Sequence, residues 1–333
     1  MMLSRVASEL YWMSRYLERA ESMARILEVC SSIALLSTTG AAQDDLAVSE
    51  PLVITDTESA FAASGRALSM DQVAQFLAWD DAHPSSISNC IRACRENARS
   101  VRGAITAEMW ECINDTWLQL QERRSLTGTG ASTVDSSFFE WVKERSHLVR
   151  GVTFATIQRD QPYLFIRLGT YLERADNTAR ILSVKTRQRE QADLVADYYR
   201  LGAVLRSVSS LEAYQDIYRD AIDADRVAEL LIFSARVPRS LRFCVDEICE
   251  ILERLPLRSG RTARRLAVQL QARLRYGDLQ EVYERGLYDY LERFIEYNTE
   301  VGVAIGQAYL ELHGDSGSAP PPPQPETLSV SSS

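Results

Sequence analysis

Residues 16–29 read YLERAESMARILEV, and residues 171–184 read YLERADNTARILSV. Ten of the fourteen positions are identical, at an offset of 155. A match this dense within one chain points to duplication of a helix or of a helical half. A third YLER at 290–293 has no similar continuation and is read as coincidence.

Wound at about 100° per residue, the first copy puts Tyr16, Leu17, Ala20, Ala24 and Leu27 on one apolar stripe. The two alanines would let a neighbouring helix come close. Glu18, Glu21 and Arg25 fall on an adjacent polar arc, as Glu173, Asp176 and Arg180 do in the second copy. Ser14 and its counterpart Gly169 lie on that arc too, so something packs close to it. Glu21–Arg25 and Asp176–Arg180 have the spacing of helical i,i+4 ion pairs, worth about 0.2–0.5 kcal/mol on an exposed helix. The bland reading of the arc is therefore a stabilised helix face. The functional reading is a shared polar site between two facing copies. There Arg forks could hold a peptide terminus or an acyl phosphate.

Outward from this motif the chain reads as all-α. Glycine and proline are scarce before residue 314, and no stretch sustains a two-residue alternation. Helices are expected at 3–36, near 71–79, from Pro84–Ser86 to about 101, and at 106–124, 136–158 and 162–189. Further helices are expected at 191–219, 224–235, 239–255, 260–276 and 278–312. Ser69 or Asp71 and Asp223 are placed to cap helices, and Pro238 to open one. Residues 39–58, with Gly40 and Pro51, read as a loop, and 125–132 (SLTGTGAS) as a linker. The expected architecture is a multi-helix bundle over 1–313, with candidate halves at 1–130 and 131–313. The Pro/Ser-rich segment 314–333 reads as a disordered tail.

Composition narrows the function. With 46 acidic and 37 basic residues the net charge is −9, which argues against nucleic-acid binding. The basic run Arg258, Arg261, Arg264, Arg265, Arg273 and Arg275 reads first as a solvated helix face, and second as a dock for an acidic protein or phosphorylated ligand. The N-terminal 21 residues interleave charges with apolar positions, unlike a signal peptide. No run nears the ~18 apolar residues of a membrane span. The expectation is a soluble cytoplasmic protein without membrane contact, with an oligomer left open.

The six cysteines, at 30, 90, 94, 112, 244 and 249, form no CxxC pair and read as small buried hydrophobes. No metal or cofactor is expected. The three histidines lack the Glu-x-x-His spacing of a di-iron bundle, and no P-loop, dinucleotide fingerprint, HExxH or GxSxG occurs. His147 in ERSHLVRG, flanked on its helix by Glu144 and Arg150, reads as packed or partner-facing before it reads as catalytic. A looser cluster, Arg95, Glu96, Asn97 and Arg99 in RACRENAR, is a secondary candidate. The helix after it carries Glu108, Trp110 and Glu111.

Several of these segments together resemble the bacterial alpha-E family, named for its α-helical content and Glu-Arg signature. They are MLSRVASELYWMSRYLERAE, RACRENAR with EMWE, RSHLVRG followed by LFIRLGTYLERADNTARIL, LRSVSSLEAY and VPRSLRFCVDE. The likeness runs from Met2 to about Leu312. It implies a context: alpha-E proteins are typically encoded beside, or fused to, circularly permuted ATP-grasp proteins, often with transglutaminase-like proteases. It carries no established reaction. A part in making or modifying a peptide or amide-linked product is implied, with a peptide or amino acid as substrate.

The signature falls on Glu18 and Arg19 and on Glu173 and Arg174. The copies differ beside it: Ser14 stands against Gly169 and Arg15 against Thr170. The leading expectation is a helical accessory partner of an ATP-grasp ligase, non-catalytic or co-catalytic. The alternatives are an enzyme that uses the Glu/Arg clusters for acyl or peptide transfer, and a purely structural scaffold.

Overall fold

The computed structural model describes residues 2–36, 41–127, 134–187 and 194–311. Among these residues there are fifteen α-helices and no strand. Helix α1 is Ser4–Leu36, α2 Ala41–Ile54, α3 Glu58–Ala63, α4 Met70–Trp79 and α5 Ile87–Ser100. Then follow α6 Ala107–Thr127, α7 Ser136–Thr156, α8 Gln161–Arg187, α9 Leu194–Ser207 and α10 Leu211–Tyr218. The last are α11 Ala224–Phe233, α12 Leu241–Arg254, α13 Leu257–Tyr276, α14 Leu279–Arg285 and α15 Leu287–Ile305, which runs into a π-helical turn at Gly306–Leu310.

The repeat extends far beyond the YLER segment. Helices α4 and α5 recur 154 positions later as α11 and α12, and α2 recurs as α9 after 153. Their caps recur with them. Ser69 Oγ accepts from the Gln72 N–H and Asp223 from the Arg226 N–H; Ser86 accepts from Asn89 and Ser240 from Phe243. The ends of α2 and α9 match as well. Asp56 and Ser209 are left-handed at φ 55° and 51°, and the following N–H of Thr57 or Ser210 reaches back to Leu52 or Leu205. Both ends are Schellman closures without the usual glycine, each at a cost of about 1–2 kcal/mol.

Packing repeats the same order. Helices α1, α5, α6 and α7 ring one bundle, and α8, α12, α13 and α15 ring the other. The two bundles join where α1 crosses α8. The seam of the repeat thus lies between α7 and α8. Halves at 1–130 and 131–313 would part α7 from α1 and α6, on which it packs.

At the crossing each copy meets its own counterpart. Ala20, Ala24, Ala175 and Ala179 are fully buried. Gly169 lies so close to α1 that a Cβ there would sit 2.3 Å from the Tyr11 carbonyl oxygen and 2.3 Å from Ser14 Oγ. Since 169 is the counterpart of 14, this contact is isologous, like that of a two-fold dimer.

Four expectations need correction. Residues 41–54 are helix, not loop: α2 packs on α1, α4 and α8, and a helix with three neighbours need not show a one-sided periodicity. Residues 191–219 are broken after Ser207 by left-handed Ser209, and 278–312 is broken at Gly286, φ 86°. Pro238 does not open α12; like Pro84, it lies two residues before the serine cap. Helix α6 reaches Thr127, three residues into the proposed linker; positions 128–133 and the tail from 314 lie outside the described residues.

Gly169→Val should drive α1 and α8 apart, because the obstacle is backbone that cannot rotate away. Urea denaturation should show a loss of about 1–3 kcal/mol, as for overpacked cores. An unchanged midpoint would contradict the close crossing.

Candidate functional site

The polar arcs of α1 and α8 are not solvated faces. Glu18, Glu21 and Glu173 are 1%, 0% and 2% exposed. Burying a carboxylate is costly unless it is paired and hydrogen-bonded, and each of these is. Glu173 accepts from Arg15 Nε at 2.7 Å and from Arg19 Nε and Nη2 at 2.6 and 3.1 Å. Glu18 accepts from Arg174 Nε and Nη2, both at 3.0 Å. The two signature pairs therefore exchange partners across the crossing: Arg19 holds Glu173, and Arg174 holds Glu18. The i,i+4 pairs also form, Arg25 Nε to Glu21 at 2.8 Å and Arg180 Nε to Asp176 at 2.8 Å.

Around Glu18 and Glu21 two more arginines converge. Arg239, in the turn before α12, gives Nη1 to Glu18 at 2.7 Å and Nη2 to Glu21 at 2.7 Å. Arg150 on α7 reaches Glu18 through Nη2 at 3.0 Å and also bonds Glu21. Glu18 thus accepts three N–H groups, with Arg150 as a further ion-pair partner. His147, one turn before Arg150, sits 3.1 Å from Arg25 Nη2. Accepting from Arg25 places the imidazole proton on Nδ1. Burial lowers the His147 pKa, and Arg25 and Arg239 lower it further.

Above these buried carboxylates lies a cleft of about 260 Å³, lined by Arg25, His147, Arg150, Arg174, Val208, Ser209, Pro238 and Arg239. Four guanidiniums face two carboxylates beneath, a formal excess of two positive charges. The electrostatics register the crowding. Burial lowers the pKa of Arg150 and of Arg239 to about 10; Glu18 opposes the shift, while the neighbouring guanidiniums reinforce it. Burial alone would raise the Glu18 carboxyl, but Arg150, Arg174 and Arg239 hold it well below the usual carboxylate range. Glu173, likewise lifted by burial and pulled down by Arg19 and Arg15, titrates at about 2. Both carboxylates are held ionised by arginines, each accepting three N–H groups.

The second half carries the same plan with different residues. Where the cleft has Arg239, its counterpart 154 positions earlier is Ser85, which accepts from Arg19 Nη1 at 3.3 Å. Where the cleft has Ser209, the counterpart is Asp56, an acid whose charge acts on Arg180. Residues 150–152 read RGV where 301–303 read VGV. Arg15, Arg19 and Arg180 are thus balanced by Glu173, Asp176 and Asp56. The duplication has left one site cationic and the other neutral.

The site gathers Glu18, Glu21, Arg25 and Arg174 from the expected set, with His147. Arg19 and Glu173 seal the other side of the crossing, next to Asp176 and Arg180. Arg95, Glu96 and Arg99 do not join it; they form a partly exposed network across α5 and α6, with Arg95 Nε 2.9 Å from Asn114. On α13, Arg261, Arg265, Arg273 and Arg275 are exposed, as a solvated face requires. All six cysteines are buried. No described helix is long and apolar enough to cross a membrane. Sequence reasoning missed Arg15, Arg150 and Arg239 as site residues. The signal for Arg239 was present: HPSSISNC at 83–90 against VPRSLRFC at 237–244 places it opposite Ser85.

A family described as "a predicted alpha-helical domain with a conserved ER motif", Alpha-E, matches residues 2–310. The chain belongs to the Alpha-E family. Uncharacterized proteins of Mycobacterium bovis and Mycobacterium tuberculosis are each 26% identical to it over 311 residues, covering 85% of this chain and 34% of the relative. The chain spans about a third of the length of the curated relatives it matches. No solved structure matches it.

Glu173→Gln leaves Arg15 and Arg19 buried without a counter-charge, and should cost about 3–5 kcal/mol at pH 7. Because the folded pKa is depressed, from 4.5 to about 2, the ionised Glu173 stabilises the fold above the unfolded value and loses that contribution as pH falls from about 4.5 towards 2. Urea denaturation of both proteins should show the gap between them narrowing over that range. A gap independent of pH would contradict the assignment.

Proposed function

We propose that this chain is a helical accessory partner of a circularly permuted ATP-grasp ligase in a system that forms or modifies peptide or amide bonds. In this reading the ligase supplies the ATP chemistry, and the cleft holds an anionic end of a peptide or amino-acid substrate. One observation carries the choice: the cleft presents four arginines, while the carboxylates beneath them are buried and already paired with those arginines. That arrangement suits binding and orienting an anion, with the buried acids already engaged by arginines. It therefore speaks against acyl or peptide transfer by the Glu/Arg clusters acting alone. Two further points support a partner role: the resemblance brings ligase company, and the curated relatives hold the matching segment within chains about three times as long.

The scaffold reading makes a different forecast for Arg150. Only its Nη2 bonds the buried acids, and both acids keep other arginines when it is removed. Arg150→Gln should therefore lower the melting temperature by only a few degrees. It should still abolish most of the change in ligase turnover that the wild-type chain produces on co-purification with the ATP-grasp protein. The absence of both a complex and a turnover effect would contradict the partner reading. Loss of effect only in step with loss of fold would favour a scaffold.

A further inference from the structure

The composition of the cleft says more than that it binds anions. Its cations come from four separate places: Arg25 on α1, Arg150 on α7, Arg174 on α8 and Arg239 before α12. A planar carboxylate is satisfied by one guanidinium fork. Donors converging from several directions suit an anion with oxygens pointing several ways. Spare donors are available for it: among the described residues Arg150 Nε and Nη1, Arg25 Nη1 and Arg239 Nε bond no protein acceptor. The four lining arginines outnumber the two acids directly beneath them, with Glu28 and Glu140 acting only on Arg25 from the side, which suits a multiply charged anion. At about 260 Å³ the cleft lies below the about 300–1,000 Å³ of a pocket that engulfs a drug-sized ligand. It fits the end of a molecule, with Val208 and Pro238 to cover a short apolar stem.

The duplicated half supplies an internal comparison. The same backbone plan there carries Ser85 for Arg239, Asp56 for Ser209 and valine for Arg150. Each of these differences removes positive charge or adds negative charge. The excess charge is therefore a property of one copy and not a by-product of the Glu–Arg exchange that both copies share.

We infer that the cleft between α1, α7, α8 and the α12 turn is a binding site for a phosphoryl dianion carried at the end of a small molecule. The inference rests on the cleft being a ligand site, as proposed above, but not on any ligase partner. Phosphate binding is measured on the isolated chain, so its failure and the failure of complex formation are separate results.

Isothermal titration calorimetry with inorganic phosphate, O-phosphoserine and acetyl phosphate tests it, with acetate and succinate as carboxylate controls. All three phosphoryl compounds should bind more tightly than either control. A preference for acetyl phosphate would identify an acyl phosphate as the source, and a preference for O-phosphoserine a phosphomonoester. Arg150→Gln removes spare donors while leaving Glu18 and Glu21 paired, and should weaken phosphoryl binding about tenfold or more. Arg261→Gln, an exposed arginine on α13, should leave it unchanged. Chemical-shift changes at the Arg150 and Arg25 side chains on adding phosphate give a readout that needs no variant. The proposal is overturned if wild-type protein binds no phosphoryl compound, if succinate binds as tightly, or if Arg261→Gln weakens binding as much as Arg150→Gln.

Discussion

The structure depends on one reciprocal ionic exchange. Two helices of nearly the same sequence cross at Ser14 and Gly169, and each lends its arginine to the other's glutamate. These carboxylates are almost wholly buried, so they fold only when that partnership is complete. Either signature pair without the other would leave a charge stranded in the core, a loss of several kcal/mol. The exchange therefore fixes register and crossing together. The two four-helix bundles follow from it, since α1 and α8 are each one wall of a bundle and half of the joint between them.

Duplication then becomes the origin of the site. A two-fold arrangement creates two equivalent polar chambers, one beside each signature glutamate. In one chamber Ser85 and Asp56 balance the arginines, and the charges close on themselves. In the other, Arg239 and Arg150 enter, the sum becomes positive, and a cleft opens beside left-handed Ser209. A neutral, closed chamber and a cationic, open one are thus divided between two copies of a single plan. The Glu–Arg exchange serves both: it holds the crossing, and it supplies the buried acid Glu18, around which cleft arginines gather.

Much of the fold was legible because helices announce their ends. Ser69, Asp223 and the proline–serine turns before α5 and α12 are local signals, and the repeat at 16–29 and 171–184 is plain in the letters. What stayed hidden was burial. Glu18, Glu21 and Arg25 occupy the spacing of a solvated arc, and nothing in that spacing reveals that α8, α7 and the α12 turn close over it. Helix α2 was missed for a related reason, since a helix with three neighbours need not show a stripe. Arg239 and Arg150 belong to the site only through tertiary approach, from 221 and 132 positions away from Glu18.

The account stands on the exchange across the crossing, and a double-mutant cycle on Arg19 and Glu173 measures it directly. Arg19→Met, Glu173→Gln and the combined variant would be compared with wild type by urea denaturation at pH 7. The account predicts strong coupling, on the order of 1–3 kcal/mol, with the double variant well short of the sum of the single losses. Losses that add to within about 0.5 kcal/mol would show that the two residues act independently, and would contradict the exchange as the interaction on which this fold is built.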